Sequence, residues 1–379
     1  MSFRVLRGAL CALSLLCLSF APSNGADAPA ELKVPADFSI EVIAHIPSAR
    51  ELAIAPNGDL FVGTEGRNVM LVADAESTPL APRVFAELGD APAAGVALGD
   101  GALYVGTFGG VWRVPYANGK RSGEPVKIAT VRPGGERGHS TTSVAVSGDK
   151  LYASVGSSCN ACSESDPSRA TIQEMGLDGR GMQTKAAHIR NAIALAVNPA
   201  TGAVWAGVAG QDELEHGHPY EIFDPFTLHA GTPDYGWPVC YDNHKAKDAS
   251  RSCSNVVVPR VVFPAYNTPI GAAFYPAHSG GKYAFPAQYA GGAFVALHGS
   301  WHEPLVPPRV AFVALKGDEP AKPVDWNNPS VQWQEFVGGF QRADESRIGR
   351  PTGVAVGPEG SLFVADDHAG VVYRIRPKR

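Results

Sequence analysis

Four side chains in this sequence, Arg50, His139, Arg190 and Arg350, stand at the same step of a recurring phrase, and together they suit work on an anion beside a base. His139 follows Gly138 just ahead of one copy. Imidazole titrates near neutral pH and is the usual group for taking and returning a proton there; the plain alternative is a solvated loop histidine. Arg190 precedes Asn191 in the same phase, offering a bidentate anion contact and an amide, or else a salt bridge at a rim. Gly349-Arg350-Pro351 and Arg50-Glu51 repeat that placement. Further on, Gln211-Asp212-Glu213 clusters acids in a loop. Such a loop suits a hard cation such as Ca²⁺ with carbonyls completing the shell, or is a solvated acidic turn. Tyr235-Gly-Trp-Pro-Val-Cys240 and His298-Gly-Ser-Trp301 add rigid aromatics that either wall a pocket or pack a loop.

The recurring phrase dictates what must position these groups. It reads Glu51-Leu-Ala-Ile-Ala-Pro-Asn-Gly-Asp-Leu-Phe-Val62, and it returns from Gly95, Ser143 and Ala194, more loosely from Gly271, and again from Gly353. Each copy is an apolar strand, a turn holding Gly, Pro or Asp, and a second apolar strand, which is a hairpin signal. One hairpin cannot bury its own face, so copies must pack side by side. The spacing between copies accommodates four strands plus loops, and the expected fold is all-β, a six-bladed β-propeller. Residues at one step of each blade then gather at one mouth of one channel. Phe38-Ser-Ile-Glu-Val-Ile43 alternates like a strand and precedes the first blade, so it is expected to pair with the last blade and close the ring. Two long stretches, near 206–270 and 298–350, read as insertions that carry most of the remaining aromatic, His and acidic residues. Helix is expected to be scarce, because Gly and Pro interrupt nearly every helical-period run.

Bulk composition agrees. The 379 residues are 45% hydrophobic and only 18% charged, with 42 Gly and 31 Pro, as expected for many tight turns. Arg4, Arg7 and the apolar run from Gly8 to Ala21 read as a secretory signal peptide over residues 1–25, ahead of one propeller domain over 31–379. The mature chain is then expected in the periplasm or outside the cell, without a membrane span. Its formal net charge of −5 becomes more negative once the leader leaves, and no basic run is present, which argues against nucleic acid as a partner. Cys159, Cys162, Cys240 and Cys253 remain, an even count in an oxidising compartment, most simply paired Cys159–Cys162 and Cys240–Cys253. Zinc is the alternative for four cysteines, but the two pairs lie in different repeats. Ser163 after Cys162 excludes covalent haem attachment.

Taken in order, Gly138-His139, Lys150-Leu-Tyr-Ala-Ser-Val-Gly-Ser-Ser-Cys-Asn-Ala-Cys162, Arg190-Asn191, Asp212-Glu213-Leu214, Tyr235-Gly-Trp-Pro-Val-Cys-Tyr241, His298-Gly-Ser-Trp301 and Gly349-Arg-Pro351 resemble the glucose/sorbosone dehydrogenase family over roughly residues 36–377. The resemblance implies an exported six-bladed propeller that uses pyrroloquinoline quinone (PQQ) and Ca²⁺ to oxidise an aldose or a sorbosone-like aldehyde. It implies that His139 is the base and that Arg190 stabilises a developing oxyanion. Asn191, Gln211 and Trp301 would lie by the cofactor, Arg350 and Arg50 would face its carboxylates, and Gln211, Asp212 and Glu213 would hold the metal. An electron acceptor, a cytochrome or a quinone, is an implied partner. Two departures remove cations: His302-Glu303 follow Trp301 where many relatives carry Asn-Arg, and Ser-Thr-Thr-Ser143 after His139 lacks an Arg. Two other readings stay open. One is a metal-dependent lactonase, which would want several Asp, Glu and Asn at the channel. The other is a non-catalytic propeller that binds carbohydrate or protein.

Overall fold

The computed structural model describes residues 26–117, 119–132, 138–212, 214–248, 250–302 and 305–378. The expected leader, and Glu213 and Glu303 with it, lie outside the described residues.

Six four-stranded antiparallel blades account for the main sheets among these residues. Their innermost strands are Ala49–Ile54, Ala93–Gly99, Val144–Ser147, Ala192–Val197, Pro269–Phe274 and Pro351–Val356. Each innermost strand touches the next around the ring, the sixth returning to the first. Their hairpin partners are Leu60–Thr64, Ala102–Thr107, Lys150–Val155, Val204–Val208, Ala293–Leu297 and Leu362–Asp366. Apart from Lys150 every residue of these second strands is buried. That is why they read as unbroken apolar runs and carry the repeat, since both faces are covered by neighbouring blades.

Closure follows the expected route. Phe38–His45 pairs antiparallel with Val371–Pro377, from Phe38 opposite Pro377 to His45 opposite Val371, so the chain's beginning supplies the outer strand of its last blade. Phe38 is held there by edge-on contacts to Phe285, Tyr289 and Phe336 of the fifth blade, with ring centroids 4.6, 5.6 and 5.2 Å away.

The two stretches read as insertions are only partly that. The first contains Glu221–Asp224 and Val261–Phe263, the outer strands of blade four; the second contains Arg309–Val313 and Trp333–Val337, those of blade five. These outer strands are three to five residues long and fall outside the two-strand phrase that marks the inner hairpins; Trp333–Val337 hides only its last two residues, whereas the other three are largely buried. The true insertion is the loop between Asp224 and Val261. It carries the Cys240–Cys253 disulfide, and Cys159–Cys162 forms in blade three, both as expected. Cys240 and Cys253 are buried with Val256 in a small apolar cluster of their own. Closing a 13-residue separation removes about 3 kcal/mol of unfolded-chain entropy. Cys240→Ser/Cys253→Ser is therefore expected to lower stability by about 2–4 kcal/mol in equilibrium denaturant unfolding. Among the described residues no helix is long and apolar enough to cross a membrane.

Candidate active site

Because all six innermost strands run the same way, their starts and the ends of their hairpin partners lie on one rim of the ring. His139 precedes the third innermost strand and Arg190 the fourth. Arg50 opens the first and Arg350 precedes the sixth, while Asp212, His298 and Asp367 follow the partner strands of blades four, five and six.

His139 is pinned from below. Its backbone N–H donates to the Ser157 carbonyl at 3.0 Å, and its ring Nδ1 lies 3.1 Å from that carbonyl and 3.0 Å from Ser157 Oγ. A carbonyl accepts only, and the hydroxyl proton is spent on the Cys159 carbonyl at 2.7 Å. Nδ1 therefore carries the ring hydrogen and Nε2 is the basic nitrogen. Burial, helped by the nearby Arg190 and Arg169 charges and opposed by the Ser157 contact, holds the imidazole down at about 4. It is thus neutral, and able to accept a proton, throughout the neutral range. Gly156 makes this arrangement possible: a Cβ there would sit 2.6 Å from His139 Cβ and 2.7 Å from Asn191 Oδ1.

Arg190 is 8% exposed and spends its N–H groups mostly on neutral oxygens: Nε donates to Asn160 O at 3.1 Å, Nη1 to Ala209 O at 3.3 Å and Nη2 to Asn160 Oδ1 at 3.0 Å. Its acidic contact, Nη2 to Asp212 Oδ2, is a longer 3.4 Å. Beneath it Glu221 accepts from Gly210 N–H at 2.7 Å, and burial pushes its carboxyl up to about 7 against the pull of that bond and of Arg190. The guanidinium charge is only partly compensated.

A second arc holds Arg50 and Arg350. Arg50 Nη1 lies 2.9 Å from Asp367 Oδ2 and 3.7 Å from Glu65. His298 Nε2 lies 3.1 Å from both Asp367 oxygens, and burial nonetheless lowers that imidazole to about 4. Arg350 donates to the carbonyls of His298 and Gly299, each at 3.2 Å. Desolvation brings it down to about 10, against the Asp367 charge and helped by Arg347 and Arg50.

His302 lies beside the first arc. Its Nε2 is 3.7 Å from Asp212 Oδ1, and its ring stacks on Tyr266 at 4.2 Å and on Trp301 at 4.0 Å. Among the described residues neither ring nitrogen has a hydrogen-bond partner, nor does the buried Gln211 Oε1. Unmet polar atoms of this kind mark a place where a further group is due. Trp301 itself is 71% exposed, so its face is presented outward at the rim.

The structure thus brings His139, Arg190, Asn191, Gln211 and Asp212 into one arc and Arg50 and Arg350 into another, with Trp301 stacked on His302 beside the first. Two further arginines lie close to these groups. Arg169, from the start of another strand, donates to Ser157 O at 2.8 Å and stands beside His139, and Arg347 contacts Ser300 O near Arg350. Sequence reasoning missed Ser157, Asn160 and Asp367. The last had a legible signal, since Asp367, Asp212 and Glu65 all close the second strand of their repeats. Of the expected metal trio, Gln211 and Asp212 are described, and Asp212 lies 3.4 Å from Arg190 Nη2. Among the described residues the only compact set of metal-ligating side chains is Cys159, Cys162 and Glu164, whose sulfurs are bonded to each other.

The class so defined is a six-bladed propeller with guanidinium groups and a neutral imidazole at one mouth of its channel. A family model described as TrAA12-like matches residues 220–378. Iodide and calcium structures of a Trichoderma reesei carbohydrate-active enzyme of family AA12 superimpose with TM-scores of 0.77 and 0.75. They are 17% and 18% identical, over 94% and 92% of this chain and 100% and 97% of theirs. The holo PQQ domain of Coprinopsis cinerea pyranose dehydrogenase gives 0.76 at 17% identity, over 93% of this chain and 98% of that one. The apo soluble aldose sugar dehydrogenase of Escherichia coli gives 0.62 at 16% identity, over 90% and 100%. At these identities the solved structures establish the fold.

Proposed function

We propose that this chain is an exported quinoprotein that oxidises an aldose or a related aldehyde, with PQQ as cofactor and Ca²⁺ beside it. The observation that carries the reading is the pairing of a buried His139, its Nε2 kept basic, with an under-compensated Arg190 on the same rim. The TrAA12-like match and the Coprinopsis holo domain support the choice of cofactor. The calcium structure of the Trichoderma relative supports the metal.

The residues present fit a flat, multiply anionic group. Arg350, Arg50 and Arg190 supply positive charge from different blades, Gln211 Oε1 and the His302 nitrogens lack partners among the described residues, and Trp301 offers an exposed ring face. PQQ bound there would supply a two-electron acceptor for hydride from the substrate carbon. The protein's own part is acid–base and electrostatic. His139 accepts the hydroxyl proton at Nε2 while Ser157 keeps Nδ1 protonated and the ring oriented. Arg190, fixed by carbonyls and already desolvated, presents positive charge at the mouth without having to reorganise. The lactonase alternative asks for carboxylates converging on one ion, whereas Asp212 and Asp367 each face a guanidinium here. Two disulfides fit an oxidising compartment.

The test is reconstitution of purified protein with PQQ and Ca²⁺, followed by aldoses and an artificial dye acceptor. Dye reduction is expected only with PQQ present. A protein that shows no bound-quinone absorbance and no turnover across a broad sugar panel would discard the proposal.

A further inference from the structure

The four-residue ring closed by Cys159–Cys162 lies in the loop after the second strand of blade three, yet it reaches into blade four. Asn160, inside that ring, meets its neighbours with every polar atom that a side chain and carbonyl can offer. Its Oδ1 accepts from Arg190 Nη2 at 3.0 Å and from the Asp212 backbone N–H at 2.8 Å. Its Nδ2 donates to the Asp212 carbonyl at 3.2 Å. Its own carbonyl accepts from Arg190 Nε at 3.1 Å and from the Trp237 indole at 3.0 Å. The same loop sets the base, because the Cys159 carbonyl takes the Ser157 hydroxyl proton at 2.7 Å. On the far side Glu164 fixes the loop by accepting from Ser158 N–H at 2.7 Å and Ser158 Oγ at 2.8 Å.

We propose that Asn160, clamped in the Cys159–Cys162 ring, is the positioning residue that sets Arg190 and the Asp212 backbone at the channel mouth. A guanidinium on a long side chain has many rotamers, and two hydrogen bonds from one residue select a single one. An amide is the required type. Alanine loses all three side-chain bonds, and a carboxylate would place a second negative charge beside Asp212 and lose the Nδ2 donor. The disulfide shortens the loop's freedom so that the Asn160 carbonyl, as well as its side chain, stays on target.

The role assigned to Asn160 rests on the proposed function, but its geometry does not, and the experiment separates the two. Full-length protein, Asn160→Ala and Cys159→Ser/Cys162→Ser are compared by hydrogen exchange of the Asp212 backbone N–H, the Arg190 Nε–H and the Trp237 indole N–H in NMR spectra, and by PQQ titration followed by absorbance. All three N–H groups are expected to exchange slowly in the unaltered protein. The Asp212 N–H, which donates to Asn160 Oδ1, is expected to exchange at least about tenfold faster in Asn160→Ala, and the other two, which donate to the Asn160 carbonyl, at least about tenfold faster in Cys159→Ser/Cys162→Ser. PQQ affinity is expected to fall by roughly 10–100-fold, the scale at which supporting partners of a bound group act, while global melting moves by only a few degrees. Unchanged exchange in both variants, or PQQ affinity within twofold of the unaltered protein in a variant whose Arg190 N–H has loosened, overturns the inference. If the unaltered protein takes up no PQQ, it is the functional reading that fails, and the exchange measurement decides the positioning alone.

Discussion

Replacing His139 with alanine is expected to reduce turnover by about 10²–10⁴-fold, the usual worth of a positioned base, with quinone binding nearly intact. The separation is expected because His139 makes its contacts inward, to Ser157, while the charges suited to an anionic cofactor come from Arg50, Arg190 and Arg350. Stopped-flow reduction together with a PQQ titration checks both halves. Equal loss of binding and turnover would mean that the imidazole holds the cofactor instead of taking a proton. The pH profile adds a second handle. A histidine whose folded pKa sits at about 4 stays unprotonated well below the ordinary 6.5, so the acid limb of kcat/KM should fall near pH 4 to 5. The sign is fixed by desolvation, which disfavours the imidazolium, and by the neighbouring Arg190 and Arg169, which disfavour it further. Arg190→Ala removes one of these charges and is expected to move the limb upward; a limb that stays put would place Arg190 away from the base.

The second large effect is structural. A Cβ on Gly271 would stand 2.0 Å from the Thr352 carbonyl, and one on Gly353 would stand 2.4 Å from the Arg50 carbonyl. Both obstacles are backbone on the innermost strand of the next blade, so no rotamer change relieves them. Gly271→Val and Gly353→Val are each expected to cost about 3 kcal/mol or more, the range of forced overpacking in a close-packed interior. Gly148→Ala is the poor comparison, since its φ is +59° and strain would confuse the result. Gly280→Ala, with open space around it, should be nearly neutral in the same denaturant titration. If Gly271→Val unfolds no more easily than Gly280→Ala, the blades are not in backbone contact there. The site should feel the change too, because Arg50 and Thr352 flank the guanidinium groups of the rim.

These glycines also explain how far the sequence could be read. Gly95, Gly271 and Gly353 each open a copy of the recurring phrase, and each lies against the backbone of the following blade. The repeat was legible because packing between blades imposes the same demand at the same step. Ring closure by Phe38–His45 and both disulfides were legible for similar reasons: an unpaired alternating strand before the first repeat, and an even cysteine count. The outer strands of blades four and five were not, since they fall outside the recurring hairpin phrase and run for only three to five residues each, too short to show a period of their own.

For the site, the amino-acid order alone determined which residues share a rim, because phase within a repeat becomes height along the channel once the ring closes. Arg50, His139, Arg190 and Arg350 follow from that. Only the folded chain decided which of them touch and what charge they carry. Asn160 reaches Arg190 from another blade, Arg169 stands near His139 and Arg347 near Arg350, and Ser157 fixes which nitrogen of His139 is bare. Burial then lowers that nitrogen's proton affinity. Contacts between blades depend on loop paths that no local pattern encodes, and desolvation depends on everything packed around a group, so neither can be read from residue types in a line.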